Sequence, residues 1–217
     1  MASISKEPNG RRMEIIYHEA GHTAILFMFG QVFNIERVNV TGKGPVAASV
    51  EWRALDTLTW LDLYGASTSA LYQQIRVNKL KWATMLCLAG YAAEKHVNPH
   101  GDWIWFDDLL ECPEWCWDGT EDFAKALNLA KMLYGDTGRA RHFLRRMNDW
   151  TEEALHDPRL WAVVEAVAKR LLTTKRRVGG RKLFDITTEA FGESHGLPYM
   201  EMGRNWRRRF RLDIPSG

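Results

Sequence analysis

The chain has 217 residues, 46% hydrophobic and 26% charged, the composition of an ordinary globular protein long enough to bury a sizeable core. A formal net charge of +2 makes no electrostatic case for nucleic acid as the main partner. Residues 1–12 carry no apolar signal core, no apolar run approaches the roughly 20 residues of a spanning helix, and Cys87, Cys112 and Cys116 are too sparse for a disulfide framework, so a cytoplasmic protein without a membrane span is expected.

Residues 13–29 predict a helix. Apolar side chains recur at Met13, Ile16, Tyr17, Ala20, Ala24, Phe27 and Met28 with a spacing of three and four. Ile25, Leu26 and Phe29 make its second half apolar all round, as in a buried helix, and Gly30 is placed to cap it. Within it stands His18-Glu19-Ala20-Gly21-His22. Two imidazoles four residues apart share one face, here with Ile25 and Phe29, and can both reach one Zn²⁺. A zinc with an open fourth position lowers the pKa of its water to about 7, and Glu19 could take the proton as that water attacks a carbonyl. The bland reading is a pair of buried, hydrogen-bonded histidines; the Glu wedged between them favours the metal.

The period then changes. Residues 32–41 and 46–52 are rich in β-branched and apolar side chains and are split by Gly42-Lys43-Gly44-Pro45, which predicts two short strands around a tight connection. A strand beside a peptidase zinc site can pair with an extended substrate backbone. A small sheet that merely caps the core reads equally well. Residues 53–69 predict a loop and a short helix.

Residues 69–97 predict a second long helix, whose segment Leu88-Ala89-Gly90-Tyr91-Ala92-Ala93-Glu94 is rich in small residues. Small residues let helices approach closely, so Gly90 and its neighbours are expected to face the zinc helix. Glu94 has three readings: a metal ligand, a buried acid that orients the site, or a charge at a helix end. Residues 98–118 alternate acids and aromatics without a steady period and predict a loop with a short helix, its tryptophans forming a lid, a partner surface or core. His96, His100, Cys112 and Cys116 are a weak match to a second, structural zinc site, because Pro99 interrupts the His pair and the Cys pair is spaced by three residues.

A capping box at Asp118-Gly119-Thr120-Glu121 starts a helix expected over 122–134. Its apolar stripe is Phe123, Ala126, Leu127, Ala130 and Leu133. Asp122 stands at the edge of that stripe, whereas Glu121 stands over Lys125 and predicts a surface pair. An acid on the core-facing edge is either a ligand or a first-turn carboxylate favoured by the helix dipole, and the residues alone leave the two even.

Three segments now share a resemblance. Glu14-Ile-Ile-Tyr-His18-Glu19-Ala20-Gly21-His22 resembles the zinc motif of FtsH-type metallopeptidases. Leu88-Ala-Gly-Tyr-Ala-Ala-Glu94 resembles their small-residue helix, and Gly119-Thr-Glu-Asp122-Phe-Ala-Lys-Ala-Leu-Asn-Leu-Ala130 resembles the segment that carries their third ligand. The resemblance implies His18, His22 and Asp122 as zinc ligands, with Glu19 as catalytic base, and it favours the substrate-strand reading of residues 46–52. It covers residues 1–191 as a standalone peptidase domain with 98–118 as an insertion. Thr23 replaces a small apolar residue, the Gly119–Asp122 spacing is one residue short, and no phosphate-binding Gly-Lys-Ser/Thr loop of an ATPase is present.

Asp157-Pro158 predicts an N-cap followed by Pro at the first helical position, with Leu160, Trp161, Val164, Val167, Ala168, Leu171 and Leu172 as the buried face. Gly179-Gly180 ends that unit and residues 183–191 predict a last short helix. From 192 to 217 the chain is a basic tail with Arg204, Arg207, Arg208, Arg209 and Arg211, read as a solvated terminus before a docking segment.

The expectation is a mainly α (α+β) zincin-like domain with a small β-hairpin after the zinc helix. Its expected activity is hydrolysis of unfolded or exposed polypeptide without ATP, alone or beside an unfoldase in trans, and self-association is compatible with it. The competing expectations are a zinc-binding, non-proteolytic domain that occupies a protein partner, and a module whose basic tail and aromatics contact nucleic acid.

Overall fold

A helix apolar on all sides has to lie at the centre, and α1 (Pro8–Met28) does. Ile16, Ala20, Ile25 and Leu26 are all at most 1% exposed. The computed structural model describes residues 8–29, 33–40, 48–54, 70–99, 106–111, 121–174, 177–195 and 208–209. After α1 come β1 (Phe33–Val40), β2 (Ala48–Ala54), α2 (Ala70–Val97), α3 (Phe106–Glu111), α4 (Glu121–Tyr134), α5 (Thr137–Leu155), α6 (Pro158–Thr173), β3 (Arg177–Gly179) and α7 (Gly180–His195). The fold is mainly α with a small antiparallel sheet, as expected.

α1 packs on α2 and α6 and also touches β1 and β2; α2 in turn packs on α4 and α5. The α1–α2 contact is close because both faces are small. A Cβ added at Gly21 would lie 2.5 Å from the Ala89 carbonyl oxygen and 2.7 Å from the Ala93 Cβ. The small-residue segment of α2 therefore faces α1, as the composition predicted. Thr23, fully buried on α1, donates its hydroxyl to the Glu19 carbonyl at 2.8 Å, so its polar atom has a partner without leaving the helix.

The predicted strand pair forms the antiparallel hairpin β1–β2, with Val38 opposite Val50 and a register shift between Ile35 and Arg37. The strand order is β2-β1-β3, because Arg177–Gly179 adds a third strand that pairs Val178 with Val38. The sequence placed only a unit end at Gly179-Gly180. A three-residue strand with one buried side chain, Val178, is too short to show a period of two.

No helix was predicted over 137–155, yet α5 is among the longer ones. Its signals are present: Asp136 caps it by accepting the Arg139 N–H at 2.7 Å, and Ala140, Phe143, Leu144, Met147, Thr151 and Ala154 are buried at helical spacing. At α6 the Asp157 cap and the first-turn Pro are as predicted. Leu172 does not belong to the buried face: it is 37% exposed, and Val163 is buried instead. α7 runs past the predicted helix at both ends, so the expected tail from 192 begins inside it. Of the arginine cluster, residues 208–209 are described, and Arg209 forms an ion pair with Glu153 on α5.

Part of the 98–118 segment is core. Phe106, Leu109 and Leu110 are at most 9% exposed, and Phe106 meets Phe123 edge-on at 5.5 Å. Its tryptophans, His100, Cys112 and Cys116 lie outside the described residues, as do Gly30, the loop and helix expected over 55–69 and the capping-box Asp118. Among the described residues, no helix is long and apolar enough to cross a membrane.

Candidate metal centre

Helical spacing puts His18 and His22 on one face of α1, with ring centroids 4.6 Å apart and planes at 79°. The facing surface of α2 fixes both rings. His22 Nδ1 lies 2.8 Å from the Leu86 carbonyl oxygen, and His18 Nδ1 lies 2.5 Å from Glu94 Oε1. Leu86, Gly90 and Glu94 are spaced by four and therefore line one face. Gly90, in the middle, leaves room for the His18 imidazole: a Cβ there would sit 2.5 Å from its Nδ1 and Nε2.

A carbonyl oxygen only accepts, so His22 Nδ1 must carry the hydrogen, and the neutral ring presents a lone pair at Nε2. The Glu94 carboxylate imposes the same tautomer on His18. The two Nε2 atoms lie 3.0 Å apart. Asp122 Oδ2, from the first turn of α4, is 3.1 Å from His22 Nε2 and 3.3 Å from His18 Nε2. Three acceptors thus converge on one point, which is favourable only if a cation or a proton stands between them. Tetrahedral zinc with bonds of about 2.0–2.2 Å holds its ligand atoms about 3.3–3.5 Å apart, close to these separations. Among the described residues, these three form the one cluster of His, Cys, Asp and Glu able to hold a metal.

Glu94 occupies the orienting position, on the far nitrogen of His18, and not a ligand position. Lys125 pairs with Asp122 Oδ1 at 3.1 Å; the Glu121 side chain, the surface partner expected for it, lies outside the described side chains. The Lys125 contact engages one carboxylate oxygen and leaves Oδ2 to the imidazoles. Glu19 is buried, 6% exposed, and its charge acts on His18. The ligands remain reachable: the side chains of His18, His22 and Asp122 are 23%, 10% and 30% exposed.

The electrostatics are those of a cation site holding a proton. Burial by itself would lower the His18 pKa, but the hydrogen bonds its ring donates to Asp122 and Glu94, with the charges of Glu94 and Glu19, outweigh it and push it up to about 10. Burial would likewise raise Asp122, yet the two imidazoles hold its carboxyl well below the usual carboxylate range. Cys87, on the same helix as Leu86 and Gly90, is pushed up to about 12 by burial and by the Asp122 charge, so it remains a thiol.

Sequence reasoning brought together His18, His22 and Asp122. It did not find the Leu86 carbonyl, since a backbone acceptor leaves no mark in a side-chain pattern. The orienting role of Glu94 has a measurable consequence. Glu94→Gln keeps an acceptor for His18 Nδ1 but removes the charge, and should weaken zinc binding about 10–100-fold in a chelator competition. Unchanged affinity would mean that the contact does not tune the ligand.

No protein-family model matches this chain, and no curated protein matches it.

Proposed function

We propose that the protein is a zinc-dependent endopeptidase acting on unfolded or exposed polypeptide. The observation that carries this reading is the convergence of His18 Nε2, His22 Nε2 and Asp122 Oδ2, with both Nδ1 atoms already committed to α2. The His-Glu-x-x-His order and the likeness to FtsH-type peptidases support zinc and the reaction class. When bound, zinc would acidify a water molecule and polarise a carbonyl. Glu19 supplies the base: it takes a proton as the water oxygen bonds to the amide carbon. It then returns that proton to the amine nitrogen as the C–N bond breaks.

Substrate would lie extended along β2. That strand is at an edge of the β2-β1-β3 order and touches α1, so its outer backbone groups can add a further strand. This favours segments that are already unfolded, or that an unfoldase presents in trans. A non-proteolytic zinc domain is favoured by one observation, the burial of Glu19.

One experiment separates the two readings. Zinc-loaded wild type and Glu19→Gln are incubated with a reduced, unfolded protein and the new amino termini are counted. Cleavage by the wild type, falling about 10²–10⁴-fold in a variant that still binds zinc, is the expected result. Stoichiometric zinc without cleavage by the wild type would establish the non-proteolytic reading.

A further inference from the structure

Far along α4 from Asp122, at the corner where α4 turns into α5, lies a cleft of about 280 Å³ lined by Tyr134, Gly138, Arg139, His142, Phe143 and Arg146. Its apolar part is a pair of rings: Tyr134 and Phe143 have centroids 5.4 Å apart, tilted by 51°. Phe143 is buried, whereas Tyr134, in the last turn of α4, is 42% exposed and offers its ring to an incoming group. The corner is fixed by Gly135, which adopts the left-handed φ of 62° and closes α4 by donating its N–H to the Lys131 carbonyl.

The polar part is basic. Arg139, His142 and Arg146 follow at intervals of three and four, so they stand on one face of α5. Among the described residues, none of these three side chains has a hydrogen-bond or ion-pair partner. Elsewhere Lys95 pairs with Glu152, Lys125 with Asp122 and Arg159 with Asp157. Among the described residues, no carboxylate lines the cleft, and Asp136, beside it in sequence, caps the Arg139 N–H. Arg139, in the first turn, also opposes the helix dipole, so its placement there does not serve the stability of α5.

The geometry points to this cleft as a docking site for an acidic peptide segment that carries an aromatic or large apolar side chain. The volume lies just below the roughly 300–1,000 Å³ of small-molecule pockets and suits one inserted side chain. Arg139 and Arg146 are seven residues apart, about 10 Å along the helix axis at 1.5 Å per residue. In a peptide in the polyproline II conformation, with three residues per turn at about 3.1 Å each, residues i and i+3 share one face at nearly the same distance. The segment it fits is therefore acid–aromatic–any–acid, with the carboxylates on the guanidinium groups and the ring against Tyr134 and Phe143. The site does not depend on the metal centre, and it would bring substrate or partner to the chain through its acidic stretches.

The test uses the full chain and a fluorescein-labelled peptide containing Glu-Phe-Ser-Glu, followed by anisotropy at low salt. Expected results are saturable binding that weakens as salt rises to about 0.3 M, loss of about tenfold or more in Arg139→Glu/Arg146→Glu, and loss with a Gln-Phe-Ser-Gln peptide. Both arginines are exposed, and circular dichroism confirms that the variant remains folded. His22→Ala should bind the peptide as the wild type does, which keeps this result separate from the metal. Equal binding by the double variant, no binding at low salt, or tighter binding of a single-stranded oligonucleotide that depends on the same arginines would overturn the proposal.

Discussion

His22→Ala is expected to abolish zinc binding, and Asp122→Ala to reduce it by at least a thousandfold, while the wild type holds about one zinc per chain. His18 and His22 are held by partners on α2, and Asp122 by one on its own helix, so all three side chains are oriented before a metal arrives. The Leu86 carbonyl fixes His22, and Lys125 holds the other oxygen of Asp122. The same measurement, repeated across pH, has a definite sign. Without metal, His18 holds its proton up to about pH 10, so a cation entering at neutral pH displaces that proton. Apparent affinity should therefore rise with pH through the neutral range, by up to tenfold per unit, and flatten towards pH 10. Metal content by mass spectrometry and a pH series of chelator competitions check both statements. Zinc retained in Asp122→Ala, or an affinity flat with pH, would remove Asp122 or His18 from the ligand set.

The second large effect is at the glycines between α1 and α2. Gly21→Ala would gain about 1 kcal/mol of helix propensity on an exposed helix. Here the new methyl meets a backbone carbonyl at 2.5 Å and the Ala93 Cβ at 2.7 Å, and neither belongs to a flexible side chain that can turn away. Overpacking of this kind costs about 1–3 kcal/mol, and separating two helices through the centre of the core falls at the upper end. A fall in Tm of roughly 4–10 °C is expected for a chain of this size. Gly90→Ala differs in kind, because its methyl meets the His18 ring instead of the backbone. It should displace the ligand and lower zinc affinity more than it lowers the Tm of the metal-free protein. Thermal melts with and without a chelator distinguish the two. A neutral Gly21→Ala would show that α1 and α2 can separate freely.

The residues of the candidate centre were legible because their signals are local or nearly so. A four-residue spacing on a helix declares a shared face at His18 and His22. Asp122 is conspicuous as an acid on the edge of an apolar stripe, although its assignment rested on resemblance until the structure brought it within 3.3 Å of both imidazoles. Glu94 illustrates the limit: spacing places it near the site but cannot say which nitrogen of His18 it meets. The hairpin was visible in its β-branched and apolar composition and in the Gly- and Pro-containing stretch that splits it. β3 was not, since Val178 joins the sheet through a pairing with Val38, 140 positions away, and nothing in Arg177-Val178-Gly179 announces it. α5 carries ordinary helix signals from Asp136 onward, an N-cap and a buried stripe at helical spacing. Its basic face is also where the second site is proposed.

The ligand set joins two parts of the chain that are 104 positions apart, from His18 to Asp122. Closing so long a loop is entropically unfavourable before the intervening helices have packed. The two histidines alone form an incomplete, weak site on a helix that is not stable by itself in water. A metal bound at this cluster would therefore enter a nearly finished structure, and a filled centre would certify that α1, α2 and α4 have already found one another.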